Sequence, residues 1–215
     1  MNAQQEPLLL AERQDNVMVF TFNRPESLNA FNLPMMEALD RSMKEVEQDE
    51  GIRVVILRGN GRAYSAGMDN RRGAELLDQA EAHMFETCKT LRRMDKVSIA
   101  SVHGHCYLGA FILSSSCDFI AVAENANIVV HGGVGVVPEW VNYAIGRLGH
   151  AAVRRVQLAD EPLSGRDAHN FGIAHWLFPD AELQSGTLEL ARRIALRKTA
   201  ADVAATKELL NRWAE

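Results

Sequence analysis

Two short loops in this chain have the composition to aim backbone amides at a single point. The first, Arg62-Ala63-Tyr64-Ser65-Ala66-Gly67-Met68-Asp69, follows the apolar run Val54-Val55-Ile56-Leu57. The second, Val102-His103-Gly104-His105-Cys106-Tyr107-Leu108-Gly109-Ala110, follows Val97-Ser98-Ile99-Ala100. Each reads as a strand that breaks into a loop rich in Gly and Ala and then becomes a helix. Converging N–H groups stabilise a negatively charged oxygen without a charged side chain. Gly109 opens the apolar helix Ala110 to Cys117, so its N–H is an unpaired donor at the positive end of a helix dipole. Taken alone, either loop is equally an ordinary tight strand-to-helix turn.

Titratable side chains lie close by in sequence. Glu139, between Pro138 and Trp140, reads either as an acid favoured at a helix start or as a base whose pKa burial against Trp140 would raise. His131 precedes two glycines, and an unperturbed histidine titrates near pH 6.5, within reach of general-base work. His103 and His105 flank Gly104 at the end of a buried strand, where packing explains both. Cys106 would need a partner base within hydrogen-bond distance to act as a nucleophile.

The elements that must position these groups follow from periodicity. Val17 to Phe22 reads as a strand ended by Asn23-Arg24-Pro25. From Leu33 to Glu50, the residues Met36, Leu39, Met43 and Val46 fall at steps of three and four, an amphipathic helix with Pro34 in its first turn. Ile52 to Leu57 suits a strand covered on both faces, and a helix from about Gly73 to Met94 leads to a second buried strand at Val97. Phe119 to Ala123 and Ile128 to Val130 read as further strands, Glu139 to Leu148 and Ala151 to Leu158 as helices, and Ser164 as an N-cap. This alternation predicts an α/β fold. No repeat, low-complexity tract or linker divides the chain, so residues 1–215 read as one domain, with a core over about 8–180 and a helical segment over about 181–215.

Composition narrows the classes. The 215 residues suffice for one sizeable core, with 47% hydrophobic and 24% charged residues as in soluble globular proteins. A net charge of −5 argues against a broad nucleic-acid surface. Cys88, Cys106 and Cys117 are an odd set with no metal-ligand spacing, so neither a metal nor a disulfide framework is expected. No apolar run reaches the length of a membrane span, and the N-terminal stretch lacks the plan of a signal peptide. The expectation is a cytoplasmic protein that binds neither membrane nor nucleic acid.

Asn23-Arg24-Pro25 with Leu28-Asn29-Ala30, then Tyr64 to Asp69, then Gly104 to Asp118, occur in the order of the three main sequence blocks of the crotonase superfamily, the enoyl-CoA hydratases, isomerases and their relatives. The chain resembles that family over nearly its whole length, through Leu163 to Ala168 and Gly172-Ile173-Ala174 to about Leu210. The resemblance implies a spiral of stacked ββα units and a homo-oligomer, trimer or hexamer. Members commonly continue beyond the segment resembling Ala204 to Leu210 into helices that cap the site and build a trimer. With the chain ending at Glu215, a shortened or absent C-terminal helical region is expected.

By position in the motifs, the oxyanion donors should be the N–H groups of Met68 and Gly109. They would hold the enolate of a coenzyme A or carrier-protein thioester, the coenzyme entering as part of the substrate and no other cofactor being required. Ser27, Leu28 and Ala30, with Ala66 and Asp69, match the turns that hold adenine and pantetheine; Arg24, Arg71 and Arg72 are candidates for the phosphates. Hydratases of the family use two glutamates. The first falls at Ile112 here, and the loop of the second, near His131-Gly132-Gly133, offers no carboxylate. Glu139 instead occupies a slot like that of the lone glutamate of Δ3,Δ2-enoyl-CoA isomerases of fatty-acid metabolism. The alternatives are a decarboxylase or other enolate-forming lyase using His131, or a non-catalytic thioester-binding subunit.

Overall fold

The computed structural model describes residues 6–130, 146, 148–149, 151–152, 154–156 and 158–212. Strands β1 (Leu9–Gln14) and β2 (Val17–Phe22) make an antiparallel hairpin, and β2 then pairs in parallel with β3 (Val54–Gly59). Between β2 and β3 runs helix α1 (Leu33–Gln48), capped by the Asn32 side chain, which accepts from the Met35 amide at 3.1 Å. Pro34 lies in its first turn, where a missing N–H leaves no bond unmade.

From β3 onward the chain repeats one unit. β3 is followed by β4 (Ala63–Ser65) and helix α2 (Ala74–Arg93); β5 (Val97–Val102) by β6 (His105–Tyr107) and helix α3 (Gly109–Ser115); β7 (Phe119–Ala123) by β8 (Asn127–Val129). The first strand of each pair joins one sheet and the second joins another. The large sheet has the order β1-β2-β3-β5-β7-β10 and the small one β4-β6-β8-β9, with β9 at Leu163–Ser164 and β10 at Trp176–Phe178. This is the expected spiral of ββα units. Strand boundaries shift by a residue or two: β3 begins at Val54, with Ile52 buried in the turn before it.

The inner strands β2, β3, β5 and β7 of the large sheet are covered on both faces, which is why they are largely apolar, whereas β1 at its edge is mostly exposed. Phe20, Phe22, Val55, Leu57, Ala100 and Val102 face the core shared with α1, α2 and α3. Val17, Val19, Val54, Ile56 and Ile99 alternate to the opposite face. There they meet Leu183, Leu190 and Ala191 of helix α5 (Leu183–Arg197) and Val203 of helix α6 (Ala200–Arg212). Helix α4 (Gly165–Asn170) starts with a full capping box, Ser164 and Asp167 each accepting from the other's backbone, so the Ser164 cap is present as expected.

A C-terminal helical region is therefore present, though short. Its last helix is pinned to the body by Lys207, whose buried ammonium donates to the carbonyls of Leu91 (2.7 Å) and Lys96 (2.8 Å) and pairs with Asp118 (2.9 Å). The described positions between 151 and 158 are helical, as are those at 146, 148 and 149. Most of the helix expected from Glu139 to Leu148 lies outside the described residues.

Candidate active site

The loop after β4 is held rigidly against the turn after β2. The Ala66 amide donates to Leu28 O (2.8 Å), Phe31 N to Gly67 O (2.7 Å) and Asp69 N to Phe31 O (2.8 Å). The Gly67 amide bonds Ser65 Oγ at 3.0 Å, and that hydroxyl donates to Asn29 O at 2.8 Å. With Phe31 and Met68 bridged in parallel, successive N–H groups of the loop point to opposite sides. The amides of Ala66, Gly67 and Asp69 are thus committed, whereas that of Met68 has no partner among the described residues.

The second loop is arranged the same way. Leu108 N donates to Val129 O at 2.8 Å and Ile112 N returns to Leu108 O at 2.8 Å, fixing the first turn of α3. The Gly109 amide has no partner among the described residues and carries the dipole of α3 behind it.

Steric contact brings the two loops together. Gly67 has φ +81°, and a Cβ on it would lie 2.7 Å from Tyr107 O and 3.4 Å from Gly109 N. A Cβ on Gly109 would lie 3.4 Å from Met68 N. Gly67 needs glycine both for closeness and for its backbone conformation, whereas at Gly109 a Cβ would be tight only against the Met68 side chain and amide. Two unpartnered N–H groups from separate loops thus sit side by side. Such a pair can hold the oxygen of a thioester as it becomes an enolate or a tetrahedral oxyanion.

Asn29 organises the shell around this pair, fully buried and left-handed at φ 54°. Its side chain donates to Asn60 O (2.8 Å) and Ala63 O (2.7 Å) and accepts from Arg24 N (2.9 Å). A buried asparagine with every contact filled locks three segments at once. Its only trace in the sequence is that an asparagine tolerates a left-handed turn.

Ser27 and Leu28 are half-buried, as is Ala66, to which Leu28 is joined through its carbonyl. Ala30 is buried, and its carbonyl accepts from Arg24 Nη1 at 2.6 Å. Arg24, expected to reach phosphates, does not present itself to a ligand. Its side chain is 8% exposed, and its guanidinium also pairs with Asp69 at 3.3 Å, making it an internal strut. A Pro-flanked arginine at a strand end looks exposed in sequence; here the turn folds back over it.

Asp69 is buried and caps the short turn Asn70–Arg72 by accepting from Arg71 N. Arg71 also grips it through Nε (2.8 Å) and Nη2 (3.0 Å). These bonds, with a smaller contribution from Arg24 and against the effect of burial, lower its carboxyl to about 2. Arg71 stays largely open to solvent, available at the rim. Glu139, His131 and the Arg72 side chain lie outside the described residues.

The remaining candidates are structural. Burial pushes the Cys106 thiol up to about 12, and among the described residues its side-chain hydrogen-bond partner is Ser114 Oγ, at 3.9 Å. A thiol so disfavoured as thiolate is inert. His103 Nε2 lies 2.9 Å from Gly61 O, and the His105 ring packs edge-on against Tyr107 at 5.0 Å. Ile112, where hydratases carry a carboxylate, is 5% exposed and part of the core. Among the described residues no group of three or more His, Cys, Asp or Glu could hold a metal ion, and no helix is long and apolar enough to cross a membrane.

Residues 12–215 match the family described as enoyl-CoA hydratase/isomerase. The chain belongs to that family. Its relatives carry both names. An Escherichia coli 1,2-epoxyphenylacetyl-CoA isomerase is 29% identical, over 89% of this chain and 77% of its own. An Arabidopsis thaliana protein named as a peroxisomal enoyl-CoA hydratase 1 is 28% identical, over 83% of this chain and 69% of its own. A Thermobifida fusca protein named as an enoyl-CoA hydratase, solved in complex with CoA, superposes with a TM-score of 0.83 at 27% identity, over 97% of this chain and 86% of that one. The crotonase fold and an enzyme of this superfamily follow from the match.

Proposed function

We propose that this family member isomerises a 3-enoyl thioester to the 2-enoyl form, with Glu139 as its single acid/base. The supporting observation is the pair of unpartnered amides at Met68 and Gly109 beside an isoleucine, not a carboxylate, at position 112. Water addition by the two-glutamate route needs a proton-transferring group at that position, and isoleucine has none. Isomerisation needs only one base. The carboxylate takes a proton from C2, and the electron pair moves onto the thioester oxygen held by the two N–H groups. The resulting dienolate takes the same proton back at C4, leaving the double bond between C2 and C3.

The substrate in this reading is a coenzyme A thioester lying along the rim formed by Ser27, Leu28 and Ala66, with Arg71, exposed though paired with Asp69, as the cation beside a phosphate. The T. fusca protein solved with CoA supports the coenzyme, and the E. coli protein, named for isomerising a different CoA thioester, supports isomerase chemistry in general terms. A homotrimer working on acyl chains fits by analogy with the family, and the odd, unpaired cysteine set fits the cytoplasm.

Turnover of a 3-enoyl-CoA to the conjugated 2-enoyl thioester, measured for wild type and Glu139→Gln, tests the reading. The expected result is a loss of about 10²–10⁴-fold in the variant with CoA binding intact. Activity kept in the variant would move the chemistry to His131. A wild type that binds CoA and turns over nothing would sink the isomerase reading and favour a binding subunit or a decarboxylase.

A further inference from the structure

The two oxyanion loops run side by side from base to tip. At the base the Tyr64 amide donates to His103 O at 2.8 Å, and Ala63 bridges Gly104. Gly104 has φ +52°, and a Cβ on it would collide with the Arg62 carbonyl, so backbone lies directly on backbone there. β4 and β6 then pair in parallel, Ala63 with His105 and Ser65 with Cys106. At the tip, Gly67 lies against Tyr107 O and Gly109 against the Met68 amide.

This pairing is not uniform. Two steps along β4 match a single step along β6, so Tyr64 is an extra residue, a β-bulge. The bulge sets the level of the tip. Met68 lies three residues beyond Ser65 and Gly109 three beyond Cys106, so the two unpartnered amides come abreast in this register. A slip of one residue would turn successive N–H groups to the opposite side and aim the Met68 amide away.

Ladder bonds are made by the backbone of any residue, so side chains have to choose between registers. Ahead of the bulge, a side-chain bond crosses from one loop to the other: His103 Nε2 lies 2.9 Å from Gly61 O. A carbonyl only accepts, so the proton is on Nε2. The other ring nitrogen, Nδ1, is buried with no hydrogen-bond partner among the described residues, a state that costs free energy. What the imidazole supplies against that cost is the bond to Gly61.

We infer that His103 is a positioning residue: by tying Gly61 to the start of the second loop, ahead of the bulge, it holds the Met68 and Gly109 amides abreast. It acts through the loops and not on the substrate. The inference rests on the oxyanion role proposed above for those two amides.

The test reads the amides directly. Hexanoyl-CoA carrying carbon-13 at its thioester carbonyl is bound to wild type, His103→Phe, His103→Ala and His103→Gln, and the infrared band of that carbonyl is measured beside Tm and the kinetics on a 3-enoyl-CoA. Two converging N–H donors should pull the band to lower frequency in wild type. The Phe and Ala variants lack the donor. They should lose much of the shift, with kcat down about 10–10²-fold and KM little changed. Glutamine can place an N–H where Nε2 stood, so His103→Gln should keep most of both. Gln184→Ala, at the start of α5 and lining the same cleft as His103, is the control and should behave as wild type. A shift kept in the Phe and Ala variants, or lost equally in Gln, overturns the inference and leaves the oxyanion pair standing. Failure of both the Phe and Ala variants to fold would make the histidine a residue of the fold and overturn it too. Hexanoyl-CoA bound to wild type with no shift overturns the oxyanion reading along with it, and a wild type that binds no CoA overturns the thioester reading itself.

Discussion

A methyl group added to Gly109 would crowd the neighbouring Met68 amide, coming 3.1 Å from Met68 Cγ and 3.4 Å from Met68 N, and on the proposed reading it would hinder a thioester oxygen from reaching both N–H groups. Alanine is also a better helix former than glycine, so α3 itself is not weakened. Gly109→Ala should therefore lose about 10²-fold or more in kcat/KM, comparable to losing one oxyanion donor, while its Tm stays within a few degrees of wild type. Steady-state kinetics beside a melting curve checks this; a fall in Tm matching the fall in rate would mean that the glycine serves folding instead. The two donor loops were legible in the sequence because each is a strand, a Gly-rich turn and a helix start in succession. Arg24 was not. Nothing local distinguishes an arginine that reaches outward from one folded back onto Ala30 O and Asp69, and that contact is made 45 residues away.

The loop from Ser65 to Asp69 depends on the turn after β2 as much as on its own sequence. Asp69 links them, accepting from Arg24 on one side and Arg71 on the other. Its carboxyl lies at about 2 in the folded protein, against 3.8 for an ordinary aspartate. Because the folded value is the lower one, the stabilisation is fully present above about pH 4 and is lost as pH falls through 2. With Arg71 open to solvent, it should amount to about 1–2 kcal/mol. The stability gap between wild type and Asp69→Asn, from urea denaturation, should be widest above pH 4 and shrink towards pH 2. A gap independent of pH would mean that the ion pairs contribute nothing. Strands and helices were legible because periodicity is local. Their partition into two sheets was not, since β3 and β4, or β5 and β6, are neighbours in sequence that part company in space.

The whole molecule is closed by its C-terminal helices, which cover the face of the large sheet opposite the site. Lys207 reaches from α6 to three separate segments: the end of α2, the start of β5 and the turn after α3. Removing the ammonium leaves two buried carbonyls and Asp118 without it, a loss of about 3 kcal/mol or more. Lys207→Met should lose hydrogen-exchange protection across residues 200–212 first, with the sheet keeping its protection. Uniform loss throughout would show that α6 opens only with global unfolding. No sequence pattern marks this lysine, which sits on a helix with charged neighbours.

Among the described residues, all but two of the strand pairings are parallel, the exceptions being β1 with β2 and β8 with β9. Parallel neighbours cannot be joined by a hairpin, so each such pairing waits for a long crossover to come home. The unpartnered amides of Met68 and Gly109 belong to successive turns of this spiral and meet only when one turn has been laid upon the next. During refolding, then, helices can report native content while no chain has yet acquired a place for the thioester oxygen. Catalysis is the last clock to start.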